Sequence, residues 1–225
     1  WSSDVCSSDL IGYASTYAGN TWRKGAMERL MEVVLPKWRA LGMVDDILIT
    51  QSNLDDSLQI QQMRQMIDGG VVDAIIICCS NLTALNKTIE YGWSKGIPTL
   101  SFTGFTTSPV SINTSVNYRL VGVYIGTWLA ELIGEKGNVV VMDGIPVYSA
   151  SDQQSDGMLA GLAMYPDITV VGHLAHNWTS QVAQKELSTW LASHPEEIHG
   201  IAVQSSGETG TLQALLQSGR DPIPP

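Results

Sequence analysis

Apolar positions along this chain fall into short unbroken runs, and the stretches between them carry helical spacing. The clearest case is VDAIIICCSN, followed by a helical run and then GIPTLSFTG. It predicts a buried strand over 72–79, a polar turn, a helix over 82–95 and a second buried strand over 98–103. Continuous apolar runs separated by helices mark a parallel sheet covered on both faces. From Ile11 onward the alternation continues, with strands expected at 11–16, 46–50, 138–143, 168–175 and 200–205 and helices between them. The helix expected over 118–133 places Leu120, Val121, Tyr124, Ile125, Trp128, Leu129 and Leu132 at spacings of three and four, an apolar stripe for packing on a sheet. Gly134 and Gly137 punctuate its end. Another helix carries Ala183, Leu187, Trp190 and Leu191.

Strands alternating with helices imply right-handed crossovers and doubly wound sheets. A connector over 104–117, rich in Ser, Thr and Asn, separates two similar blocks, so a boundary is expected near Ser115. The expected fold is α/β: two Rossmann-like doubly wound lobes, 11–115 and 116–225, with a ligand cleft between them and the second lobe incomplete at its C-terminal end. Two segments fall outside the pattern. Residues 1–10, WSSDVCSSDL, are polar and aperiodic, and DVCSSDL resembles the translation of a sequencing-adapter sequence, so the segment is set aside from the fold. At the far end Ile223-Pro224 repeats the Ile97-Pro98 pair that leads into a strand, so a further strand is expected to follow.

In open α/β sheets ligands bind at the carboxyl ends of the strands. The residues just past the expected ends are Thr16, Asn20, Ser52, Asn53, Cys79, Ser80, Asn81, Thr103, Asn177, Trp178 and Gln204 to Ser206. Most are neutral and hydrogen-bonding, with aromatics among them. Amides and hydroxyls suit the OH groups of a hydroxylated ligand, and flat rings suit its C–H faces.

Composition narrows the classes. The net charge of −10 comes without a Lys/Arg cluster, which argues against a nucleic-acid surface in this stretch. Hydrophobic residues make up 44%, enough for a packed core, and no apolar run reaches membrane-spanning length. Of three cysteines, Cys6 lies in the excluded segment, while Cys78 and Cys79 sit together at a strand end, where successive side chains face opposite ways. They are read as core-lining, with a strained vicinal disulfide as the alternative.

Enzyme signatures are weak. Tyr91 to Lys95 has the Y-x-x-x-K spacing of short-chain dehydrogenases, but the turn after the first strand, TYAGNTW, has one glycine where a pyrophosphate site needs several. No G-x-S-x-G, P-loop or H-E-x-x-H occurs. His173 and His176, if both extended, point to opposite faces and do not share a metal. His194 and His199 flank a Pro-Glu-Glu turn and are expected in solvent. Asp152 and Asp156 favour a helix start through its dipole. No catalytic residue, metal site or cofactor is expected.

The order of IGYAST…GNTWR, LQIQQMRQMIDGGVVDAIII, GIPTLSF, NYRLVGVYIGTWLAELIG and GTLQALLQSGRDPIP across the chain resembles the type 1 periplasmic binding proteins, in particular the ribose-binding-like sugar receptors of ABC importers. That resemblance implies two lobes joined by three crossing segments, a sugar-like ligand (a sugar, polyol or sugar acid) between them, a membrane permease as partner, a monomer, and a periplasmic location. It implies ligand-binding roles for Thr16, Asn20 and Trp22 after the first strand, for Cys79 and Ser80 at the third strand end, and for Trp178 and Gln204 on the second lobe. Three positions depart from the family pattern. Arg23 stands where many relatives have a second aromatic, Thr103-Gly104 replaces an acid–arginine pair, and Gln154, ahead of Gly157, replaces an arginine. Hydrogen bonds to charged groups are worth about 1.5–3 kcal/mol and neutral ones about 0.5–1.5 kcal/mol, so these exchanges imply weaker pentose binding or a different ligand class. Arg23 either forks onto an anionic group of a ligand or turns to solvent. Trp22 and Trp178 either sandwich a sugar ring or pack in the core. The runner-up role is the effector-binding core of a LacI-type transcription regulator, which shares this fold and would carry a DNA-binding segment before Ile11. A sensor ectodomain feeding a kinase or chemoreceptor is the third.

Overall fold

The structure is a computed structural model that describes residues 9–78 and 81–220. Contacts divide the chain between Val116 and Asn117 into two compact units.

The first unit is a five-stranded parallel sheet in the order β2-β1-β3-β4-β5, built from β1 (Leu10–Ser15), β2 (Asp46–Gln51), β3 (Ala74–Cys78), β4 (Thr99–Phe102) and β5 (Ser111–Thr114). Successive side chains of β3 point to opposite faces. Ile75 and Ile77 are fully buried with Met63, Met66 and Ile67 of α3 (Asp56–Asp68) and Ile89 of α4 (Asn86–Ser94). Ile76 faces the other way, into an apolar groove with Ile11, Leu30, Val34, Trp38 and Ile47. That face is crossed by α1 (Thr21–Arg29), a π-helical segment (Leu30–Val34) and α2 (Leu35–Ala40). Pro36 in the first turn of α2 has no N–H to donate back along the helix, and the π segment lies immediately before it.

Three expectations change here. The connector contains a strand, β5, which pairs parallel to β4 through Thr99–Ser111 to Phe102–Thr114. The helix placed at 82–95 begins at Asn86, because Asn81 Oδ1 accepts from the backbone N–H of Thr83 and Ala84 and holds that stretch in a turn. Leu10, set aside with the leading segment, opens β1 and donates its N–H to Asp73 Oδ2 at 2.8 Å, while Asp9 O accepts from Asp45 N at 2.9 Å. The rest of that segment, 1–8, lies outside the described residues.

The second unit carries a three-stranded parallel sheet, β7-β6-β8, with β6 (Lys136–Asp143) at its centre between β7 (Asp167–Ala175) and β8 (Gly200–Val203). Val139 and Val141 pack against α5 (Tyr118–Leu132) and α6 (Ser149–Leu162); Val140 and Met142 pack against α7 (Ser180–Ser193) and α8 (Glu208–Gln217). The stripe expected to pack α5 on the sheet does not do so as a whole. Leu120, Tyr124, Trp128 and Leu132 are exposed, and the buried face is Gly122, Gly126, Leu129 and Ala130. The reason is the neighbouring helix: Gly122 and Gly126 meet Gly157 and Gly161 of α6, and a Cβ at any of the four would strike backbone of the partner helix. This glycine seam lets the two helices close on each other and turns the bulky stripe outward.

The pairing of β6 with β7 slips by one residue between Val139 and Val140, where Val139 faces Val170 but Val140 faces Gly172. Val171 is the extra residue of a bulge, and the slip sets His173 opposite Val141. Residues paired across a parallel ladder share a face, so His173 projects on the same side as Val141 and Asp143. One histidine expectation changes: His194 is half-buried and stacks on Trp190 with ring centroids 4.0 Å apart. His199 is exposed as expected, and its Nδ1 accepts from Asn138 N at 3.1 Å.

Candidate functional site

Backbone strain marks the carboxyl ends of the strands in each unit. Asn53, Leu54, Thr103, Val147, Asn177, Trp178 and Ser206 all have φ between 51° and 74°, and all follow a strand; Glu135 is the only other non-glycine residue of this kind among the described residues. A left-handed backbone costs a residue with a Cβ roughly 1–3 kcal/mol and gathers where function demands it.

In the first unit the strand ends close around Cys78. Thr16, fully buried, donates its hydroxyl to Cys78 O at 2.6 Å. Asn20 caps α1, its Oδ1 accepting from Arg23 N at 2.9 Å, and so sets the first turn that carries Trp22 and Arg23. Arg23 does not turn to solvent: it is 8% exposed, its Nη1 lies on Cys78 Sγ, and its guanidinium carbon sits 5.2 Å from the centre of the Trp22 ring. Cys78 Sγ also lies 3.2 Å from Thr103 Oγ1. The Tyr13 hydroxyl joins this group; burial, helped by Cys78 and opposed by Arg23, pushes its pKa up to about 12. Trp22 is half in solvent at 52% exposure, stacked at 6.5 Å with Phe102, so its ring is not core packing. Cys79 and Ser80 lie outside the described residues. Cys78 is fully buried.

In the second unit the strand ends close around Asp143. His173 Nε2 pairs with Asp143 Oδ2, and Ser155 Oγ of α6 lies 3.3 Å from the same ring nitrogen. Gln204 is fully buried. Its Nε2 donates to Ser151 O at 2.9 Å and lies 3.5 Å from Asp143 Oδ1, and its Oε1 accepts from Trp178 Nε1 at 3.2 Å. The half-buried Trp178 meets the buried Tyr148 edge-on, with centroids 5.0 Å apart. Its indole lies over Gly144, where a Cβ would run into the ring. Gln154, 8% exposed, is buried on α6. His176, just past β7, is fully buried, and burial brings its pKa down to about 4 against the opposing pull of Asp143 and backbone hydrogen bonding. Asp152 accepts from Val147 N at 3.1 Å, and burial raises its carboxyl.

The structure thus brings Thr16, Asn20, Trp22, Arg23 and Thr103 together in one unit, and Trp178 and Gln204 together in the other. Sequence reasoning missed Tyr13, Asp143 and His173. Asp143 was legible as the last residue of a central strand; His173 was not, because its facing depends on the bulge at Val171.

Doubly wound units with strained polar and aromatic residues at their strand ends define a ligand-binding class, and residues 11–225 match the periplasmic binding protein domain. The chain belongs to that family. It is 30% identical over 181 residues to a xylitol-binding protein of Mycolicibacterium smegmatis, covering 80% of this chain and 52% of that one. It is 25% identical over 186 residues to a D-apiose import binding protein of Paraburkholderia graminis, covering 80% and 55%. The chain therefore spans about half the length of the curated relatives it matches. Among solved structures, an ABC transporter solute binding protein from Thermobispora bispora superposes with a TM-score of 0.86 at 21% identity, over 95% of this chain and 66% of that one. A Caulobacter myo-inositol binding protein gives 0.83 at 18% identity, over 95% and 71%. These two likenesses establish the fold.

Proposed function

We propose that this chain is the ligand-capturing part of a sugar- or polyol-binding receptor that serves an ABC importer, drawing ligand contacts from the strand ends of each unit. The observation that carries the reading is the gathering of neutral polar groups with Trp22 and Trp178 at those ends, where Thr103, Asn177 and Trp178 stand on left-handed backbone. The relatives named for xylitol and D-apiose favour this role over the transcription regulator. In this reading the receptor is a periplasmic monomer. It binds a small hydroxylated molecule, closes by a hinge motion, and presents the closed form to a membrane permease. The ligand drives closure only so far as it binds the closed state better. Trp22 and Trp178 supply ring faces for C–H surfaces of the ligand, and Asn20, Thr103 and Gln154, with Cys79 and Ser80, frame it with polar groups; the fully buried Thr16 supports them by tying the end of β1 to Cys78 O. Arg23, drawn inward onto Cys78, takes the place of the charged contacts missing at Thr103 and Gln154.

Calorimetry on the full-length protein with xylitol, D-apiose, D-allose, D-fructose and myo-inositol tests this. Saturable binding of at least one is expected, and Trp178→Ala weakens it by about 1–3 kcal/mol, as loss of an aromatic wall does. No heat from any member of the panel sinks the polyol and sugar reading. Unchanged affinity in Trp178→Ala removes Trp178 from the site.

A further inference from the structure

We infer that Gln204 and Asp143 are positioning residues: they hold the Trp178 indole in one orientation through a hydrogen-bonded chain that starts at His173. The inference deepens the reading of Trp178 as a ligand wall and rests on it.

Both polar ends of the buried Gln204 side chain are engaged inside the protein. Its Nε2 serves Ser151 O and Asp143 Oδ1, and its Oε1 accepts the indole N–H. A side chain so used has no exposed polar atom to offer a ligand; what it fixes is the ring. Asp143 is the middle of the chain, with Oδ1 toward Gln204 and Oδ2 toward His173. The bulge at Val171 is what brings His173 to that face, and bulges recur where a side chain must be re-aimed. The links therefore join the end of β8, the end of β6 and the face of β7.

The rest of the local structure serves the same end. His176 N donates to Asp143 O at 2.8 Å and Asn177 N to Gly144 O at 3.1 Å, which fixes the left-handed pair Asn177 and Trp178 against the end of β6. Gly144 leaves room for the indole to lie directly over backbone, and Tyr148 meets it at 76°. With its N–H bonded to Gln204 and Tyr148 packed against it, the indole is held in place while part of its surface stays exposed. A stacking face works only while its tilt is fixed, since ring placement decides whether C–H groups meet it flat.

The test uses full-length protein with 15N-labelled tryptophan, the Trp178 indole resonance being assigned by its loss in Trp178→Phe. The indole proton should exchange with solvent roughly tenfold faster in Gln204→Leu than in the unaltered protein, in line with loss of one hydrogen bond. Asp143→Asn should shift the same resonance and speed its exchange. Equal exchange in all three proteins overturns the inference. With xylitol and D-apiose as probes, Gln204→Leu should weaken binding about tenfold in the unaltered background and less than about twofold beside Trp178→Ala, because coupled residues are not additive. An equal loss in both backgrounds makes Gln204 a direct ligand contact and overturns the inference. If exchange responds as expected but Trp178→Ala leaves binding unchanged, it is the ligand reading of Trp178 that fails. Should Gln204→Leu not fold, Asp143→Asn decides by exchange alone, as it does if neither probe binds.

Discussion

The two units solve the same problem with opposite charges. Each is a parallel sheet covered by helices, and each must tie together loops that leave adjacent strand ends. The first gathers its loops around a cation: Arg23 touches Cys78, lies beside Trp22 and bonds with Tyr13. The second gathers its loops around a carboxylate: Asp143 holds His173 and Gln204, and through Gln204 the indole of Trp178. In each unit a tryptophan rides on the charged pin. A shared topology therefore fixes where a site forms and leaves the chemistry of its anchor free, consistent with function residing in sites grafted on folds.

The comparison can be broken with pH. All four histidines fall in the second unit. His176 is held neutral by burial, with a pKa of about 4 against an ordinary 6.5. Above 6.5 it is neutral folded or unfolded. As pH falls from 6.5 toward 4 the unfolded chain takes up the proton first, so stability is lost across that window. The loss reaches about 3 kcal/mol below it. Hydrogen exchange read separately for each unit should show the second unit opening first in acid, and His176→Leu should flatten that response. The first unit should fail at the other extreme. Tyr13 keeps its proton in the fold until about pH 12 while the unfolded chain gives it up near 10. Stability present below 10 is therefore lost as pH rises through 12, by about 2–3 kcal/mol. Tyr13→Phe should remove most of that alkaline sensitivity in a denaturant titration.

Substitution sharpens the contrast further. Arg23→Met leaves Cys78 and Tyr13 without their buried cation and should cost about 2 kcal/mol in urea unfolding of the first unit, with the acid response of the second unchanged. The smallest expected effect is a gain. Val147, 85% exposed, holds a β-branched side chain at φ 61° in the loop after β6. Val147→Gly should raise the stability of the second unit by about 1 kcal/mol, a shift of a few degrees in melting temperature.

The sequence made the α/β alternation legible because buried parallel strands are nearly pure apolar runs, as Ile75 to Ile77 are. It hid β5, whose SINT holds one large apolar residue in four positions, too little for any period to show. The outward turn of the α5 stripe was hidden for a different reason: helical spacing tells which residues share a face, not which face a neighbour covers. The pairing of Gly122 and Gly126 with Gly157 and Gly161 is a tertiary fact. At the strand ends, the rule picked out Thr16, Thr103 and Trp178, which follow β1, β4 and β7. It could not show that Gln204 is fully buried, because burial cannot be seen in a loop sequence, and it gave no sign that His173 meets Asp143, because one extra residue at Val171 decides which way that ring points.

The order β7-β6-β8 has one more consequence. Among the described residues β8 pairs only with β6, so the outer side of Gly200–Val203 carries a row of backbone donors and acceptors without a strand to meet them. Such an edge is a template for any other chain in extended form. Any extended segment that adds there should slow the solvent exchange of the backbone amides along that side of Gly200–Val203, and that slowing would be the first visible sign of its arrival.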